Sequence, residues 1–192
     1  MTTITVVKKN GNIAISAESL TTSGDTRLGA EYKAEHDKIL HIGDSWIGVC
    51  GSSAHHLVLA HLLAKIEDLR LGSRSEVFET FRKLHPMLKE QAFLNPKEDE
   101  DDPYESSQIT ALIANPTGIY GVYSYREVFA YDRFWAVGSG RSFALGAMYA
   151  AYERTKTAAE IAAIGVAAGV EFDTASSGPI VTHAVKLIKE KK

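Results

Sequence analysis

Strand-like and helix-like segments alternate along this chain in blocks, and that order restricts the fold more than any other feature. Thr3 to Lys9 and Asn12 to Ser19 are β-rich runs separated by Asn10-Gly11, a strong two-residue hairpin signal. After a polar loop holding Gly24 and Gly29, Lys38 to Ile42 and Trp46 to Cys50 form a second strand pair around Gly43-Asp44-Ser45. These runs are apolar without strict alternation, which predicts sheets covered on both faces. Two helices are expected next. Ser52 to Leu71 carries Leu59, Leu62, Leu63, Ile66 and Leu69 at helical spacing and stops at Gly72; Ser75 to Phe93 repeats the pattern, with Pro86 expected to kink or shorten it. Asn95 to Ser106, with Glu98-Asp99-Glu100-Asp101-Asp102 between two prolines, reads as a solvated, mobile excursion, since it lacks the alternating ligands and central glycine of a calcium loop.

A meander follows: Ser107 to Asn115, a turn at Pro116-Thr117-Gly118, then Ile119 to Ser124 and Val128 to Val137. Helices are expected at Ser142 to Arg154 and at Ala158 to Ala168, the latter opened by the capping box Thr157-x-x-Glu160 and small enough in its side chains to approach another layer closely. A strand at Pro179 to Leu187 precedes a lysine-rich end. The order ββββ–αα–βββ–αα–β, with hairpins implying antiparallel sheets, assembles as two sheets between two helical layers: an α+β fold, a four-layer αββα sandwich. No internal repeat is visible, and residues 1–192 are expected to form one domain.

Composition excludes several function classes. A net charge of −3 provides no basic footprint for nucleic acid. No apolar run approaches the ~20 residues of a membrane span, and the start lacks the charged-then-apolar order of a signal peptide. The single cysteine, Cys50, cannot form an internal disulfide and suits a reducing compartment, so a cytoplasmic location is expected.

The chain begins Met1-Thr2-Thr3-Ile4. Methionine is normally trimmed before a residue as small as threonine, and the exposed Thr2 would then carry a hydroxyl nucleophile together with its own primary amine. An α-amine titrates at roughly 7.7–8.0, close enough to neutrality to act as the base. Other candidates are weaker. His55 and His56 cannot face the same way on a helix and His61 is out of ligand register with His56, so no metal site is expected. Cys50 lacks a paired histidine or helix start in sequence and reads as a buried strand residue. Gly138-Ser139-Gly140 lacks the lysine of a P-loop and the longer dinucleotide fingerprint, and no cofactor is expected.

In its order of elements and its landmarks the sequence resembles the proteasome β-type threonine peptidases, which have the N-terminal-nucleophile hydrolase fold. The landmarks are Thr2-Thr3-Ile4, Lys8-Lys9-Asn10-Gly11, Gly138-Ser139-Gly140 and Asp173-Thr174-Ala175-Ser176-Ser177-Gly178. The likeness spans nearly the whole chain and is greatest to the proteasome homologue of betaproteobacteria, near the peptidase subunit of the bacterial two-component ATP-dependent protease. It implies that Thr2 is the nucleophile and that Lys33 is the buried lysine beside it. Glu18 stands where the family usually has aspartate to brace that lysine, and its extra methylene is expected to shift or loosen the bracing. The resemblance further implies that Gly51 supplies the oxyanion-hole N–H and that Ser139, Asp173 and Ser176 form the supporting network; Ser177 replaces a glycine common in the family. Thr22 and Ser53 would hold an extended peptide, and Val49 would floor the pocket for the residue before the cut, favouring a modest apolar side chain.

The function these readings imply is an N-terminal threonine endopeptidase of a self-compartmentalising homo-oligomeric double ring. It would act on unfolded polypeptides after loss of Met1, with an ATP-dependent unfoldase as a possible partner and neither nucleic acid nor membrane. Two alternatives stand beside it: a catalytically weak or inactive ring-forming scaffold, motivated by Glu18 and by any retention of Met1, and a small-amide amidohydrolase of the same fold.

Overall fold

The computed structural model describes residues 2–96, 101, 102 and 104–188. Strands β1 (Thr3–Lys9) and β2 (Asn12–Ala17) form the expected hairpin, its Asn10 and Gly11 both at positive φ, 51° and 71°, as a two-residue turn matched to strand twist requires. They are the central pair of a four-stranded antiparallel sheet completed by β10 (Phe134–Gly138) beside β1 and β11 (Val181–Lys186) beside β2. The second sheet runs β5 (Ile39–Ile42), β6 (Ser45–Cys50), β7 (Thr110–Asn115), β8 (Gly118–Val122), β9 (Val128–Tyr131), all antiparallel. Helices α1 (Ser53–Leu63) and α2 (Arg74–Ala92) cover the five-stranded sheet, and α3 (Arg141–Ala151) and α4 (Ala158–Phe172) cover the four-stranded one. The result is an αββα sandwich of two antiparallel sheets between helical layers.

Three apolar layers fill the gaps between these four. Ile4, Val6, Ile13 and Ile15 meet Leu112, Ala114 and Ile119 between the sheets. Leu59, Leu63, Phe81 and Leu84 pack on Ile47, Ile113 and Val122 on one flank. Val7, Ala14 and Ala136 meet Met148, Ile161 and Ala162 on the other. This explains the absence of strict alternation in β1 and β2: both of their faces are buried. The face of β1 toward α4 keeps its hydroxyls occupied, Thr5 Oγ1 donating to Ala162 O at 2.9 Å. At Gly169 of α4 a Cβ would lie 2.4 Å from Thr3 Oγ1, so the small residues of that helix set how closely it lies on the strand that follows Thr2.

Several boundaries differ from the sequence expectation. The run Val128 to Val137 is two strands in different sheets, the chain changing sheets at Asp132-Arg133, where Arg133 O accepts from Lys8 N at 2.7 Å. Helix α1 ends at Leu63; Asp68 has φ 54°, incompatible with a continued helix, yet Ile66 and Leu69 still pack on the core. Pro86 lies within α2 without ending it. The Thr157 cap holds as expected, accepting from Glu160 N at 3.2 Å, but α4 runs on to Phe172. The loop after β2 contains an additional hairpin, β3 (Thr21–Ser23) and β4 (Thr26–Leu28), and then a short 3-10 turn at Ala30–Tyr32. Of the acidic excursion, Glu98 to Glu100 lie outside the described residues, while Asp102 accepts from Tyr125 OH at 2.7 Å and Glu105 pairs with His85 and Lys89, so those two carboxylates are tied to the body of the protein. Among the described residues no helix is long and apolar enough to cross a membrane.

Candidate active site

Thr2 immediately precedes the central strand β1 and is only 4% exposed. Its position is set by β10, whose Gly138 pairs with Thr3. Gly138 has φ +95°, and a Cβ there would stand 1.9 Å from Thr2 O, so no other residue permits this approach. The next residue, Ser139, accepts a hydrogen bond from Thr2 N at 3.2 Å and donates to Asp173 Oδ2 at 2.7 Å. Asp173 caps the end of α4, and its Oδ2 also accepts from Ser176 Oγ at 2.7 Å. Ser176 Oγ in turn lies 2.8 Å from Thr3 Oγ1. Ser139, Asp173 and Ser176 therefore form one connected network on the nitrogen side of Thr2.

The hydroxyl side of Thr2 faces a lysine, and that lysine is Lys38. Its Nζ donates to Thr2 Oγ1 at 3.0 Å, to Glu18 Oε1 and to Leu20 O, which uses all three N–H donors of an ammonium. Glu18, fully buried just after β2, is itself held by backbone: its Oε2 accepts from Leu20 N at 2.6 Å and Ser177 N at 3.1 Å. The longer side chain of glutamate is thus accommodated with its carboxylate fully engaged.

Lys33 does not occupy the place expected of it. Its Nζ donates to Ser19 O at 2.7 Å and Thr21 Oγ1 at 3.1 Å, on the wall of the cleft. Burial, reinforced by repulsion from the Lys38 ammonium, lowers its pKa from the ordinary lysine value. The chain makes the β3–β4 hairpin and the 3-10 turn before reaching the second sheet, so the lysine delivered to Thr2 is the one abutting β5. The sequence did carry a signal for it: Lys38 opens the strand run whose hairpin partner leads into Gly51.

Thr2 and Lys38 open onto a cleft of about 570 Å³. Thr22, Val49, Gly51 and Ser53 all line it, together with Lys33, Glu35, Asp37 and His56. Gly51, at φ +131°, sits between the end of β6 and Ser52, the residue that caps α1. Burial lowers the pKa of His55 and His56, favouring neutral rings, and among the described residues no three His, Cys, Asp or Glu side chains are grouped to hold a metal ion.

Cys50 is buried next to Gly51, and its burial pushes the thiol up to about 12. A thiol so poised is neutral and unreactive at ordinary pH. Native protein treated with iodoacetamide at pH 8 should remain unalkylated at Cys50 over a period in which urea-unfolded protein reacts fully; equal rates would show an accessible thiolate.

Neither a family model nor a curated protein matches the chain. Solved structures do. The BPH of Thiobacillus denitrificans aligns with a TM-score of 0.92 at 40% identity, covering 97% of this chain and 98% of that one. The same protein in complex with epoxomicin aligns with a TM-score of 0.91 at 39% identity, covering 97% and 100%. Eukaryotic HslV from Trypanosoma brucei shares the fold, with a TM-score of 0.72 at 20% identity over 96% and 99% of the two chains. With about two residues in five identical to BPH along essentially the full length of both chains, and the same αββα sandwich, this chain belongs to the BPH family of bacterial proteasome β-type proteins, hydrolases of the N-terminal-nucleophile fold and the threonine-peptidase class.

Proposed function

We propose that this chain, once Met1 is removed, is an N-terminal threonine endopeptidase subunit of a self-compartmentalising cytoplasmic ring that cuts unfolded polypeptides. The observation that carries the reading is the 3.0 Å contact of the Lys38 ammonium with Thr2 Oγ1, made by a buried threonine at the inner end of an open cleft. Loss of Met1 turns the Thr2 nitrogen, beside Ser139, into a free amine. That amine takes the hydroxyl proton as Oγ1 attacks the peptide carbonyl, and the Lys38 charge favours the developing alkoxide. The Gly51 N–H receives the oxyanion. The amine then passes its proton to the departing peptide nitrogen, leaving an ester on Thr2, and water activated by the same amine hydrolyses it. Ser139, with Asp173 and Ser176 behind it, orients the amine. Glu18 fixes the ammonium, and Thr22 and Ser53 align the substrate over a pocket floored by Val49.

Ring assembly and polypeptide substrates in general are supported by membership of the BPH family; feeding by an ATP-dependent unfoldase is part of the proposal alone. Confinement would keep such a peptidase away from folded proteins. Epoxomicin, the compound held by the Thiobacillus denitrificans protein, tests the reading. The intact mass should correspond to a chain starting at Thr2, and incubation should yield a single adduct mapping to residue 2. A panel of fluorogenic peptides should be cut after modest apolar residues; a clear preference for acidic ones would contradict the Val49 assignment. A trimmed chain that takes no adduct and cuts no peptide is a scaffold instead, and a monomer active only on small amides is an amidohydrolase.

A further inference from the structure

Three hydrogen bonds fix the tip of Lys38, yet its backbone lies at the end of a ten-residue stretch, residues 29–38, whose one regular element is the 3-10 turn. Asp37 supplies what the stretch lacks. Its Oδ1 accepts from Ile39 N at 2.9 Å, closing a tight turn around Lys38, and its Oδ2 accepts from His183 Nε2 at 2.9 Å. His183 belongs to β11, the edge strand of the opposite sheet, paired there with Ile15. Its ring is stacked on Trp46 of β6, centroids 3.8 Å apart and planes 7° from parallel, and Trp46 stacks in turn on His41 of β5 at 4.1 Å. His41 and Trp46 are cross-strand partners. A four-group assembly thus spans the edges of the two sheets and ends on the carboxylate that brackets Lys38.

We propose that Asp37, anchored by His183, is a positioning residue that locks the Lys38 ammonium onto Thr2 Oγ1; this rests on the peptidase reading above. A partly exposed pair of this kind contributes little to global stability, so its use is geometric. Displacement of a catalytic group by ~1 Å can cost on the order of a hundredfold in rate. One end of the Asp37 carboxylate faces backbone and the other faces imidazole, so asparagine can keep both contacts, while alanine loses both.

The test uses the trimmed full-length protein and a fluorogenic peptide that the wild type cuts. Asp37→Ala should lower kcat roughly ten- to fiftyfold with KM within about twofold, whereas Asp37→Asn should stay within about threefold of wild type. His183→Ala should lower kcat in the same manner, and the double variant should be no worse than Asp37→Ala alone, the signature of residues acting through one another. A crystal structure of Asp37→Ala should show the Lys38 ammonium withdrawn from Thr2 Oγ1. Wild-type kcat in both alanine variants, or an unmoved Lys38, overturns the proposal. A wild type that hydrolyses nothing defeats the peptidase reading instead, and the position of Lys38 in the variant crystal then decides the clamp by itself.

Discussion

Replacing Thr2 by alanine should reduce peptide hydrolysis to assay background, a loss of roughly a thousandfold or more, while leaving a folded protein. Alanine is as readily exposed by methionine trimming as threonine, so the variant keeps its free amine and loses the hydroxyl. Lys38 loses one acceptor but retains Glu18 and Leu20 O, so its charge stays paired and the change in stability should be about 1 kcal/mol. Thr2→Ser keeps both oxygen and amine and should retain measurable turnover. Thermal melts alongside the rates separate the two effects: an inactive variant whose melting temperature falls by no more than about 2–4 °C identifies the nucleophile, and an active Thr2→Ala chain rules Thr2 out.

The architecture was legible where local chemistry and tertiary structure agree. Asn10-Gly11 can make only a narrow set of turns, Thr157 and Glu160 satisfy a helix start by themselves, and the glycines and alanines of α4 announce close packing before a partner is known. It was illegible where two tertiary environments share one pattern. Ile66 and Leu69 keep helical spacing because they cover the same core as α1, although the backbone between them has left the helix. Val128 to Val137 reads as one strand because both sheets take the same kinds of residue and only Asp132 and Arg133 separate the two strands.

The site shows the same division. Thr2, Glu18, Ser139 and Asp173 each abut the end of a strand or helix, and Ser176 is tied to Asp173 by the turn in which its N–H donates to Asp173 O, so their sequence positions carry over into space: the structure brings Ser139, Asp173 and Ser176 to one side of Thr2 and Glu18 to the other. The lysine was misplaced because it comes from the segment between hairpins, whose length has no period to read. Two lysines five residues apart were available, and only the path of the chain around the β3–β4 hairpin distinguishes them.

That distinction yields the second large effect. Lys38→Ala should lower kcat/KM by roughly a hundred- to a thousandfold, the range typical of removing one preorganised charge or donor at the reacting oxygen. Lys33→Ala should cost less than about tenfold, since it removes cleft-wall contacts to Ser19 O and Thr21 Oγ1. Stability should also separate them. Glu18 is fully buried and the Lys38 side chain mostly so, at 17% exposed, and stripping the ammonium from an enclosed carboxylate costs about 3–5 kcal/mol. Combining Lys38→Ala with Glu18→Gln removes that stranded charge and should recover much of the lost melting temperature. It should recover none of the rate, because what Thr2 loses is the positive charge beside its oxygen. If Lys33→Ala instead abolishes turnover and Lys38→Ala spares it, the lysine that serves Thr2 in the working enzyme is the other one.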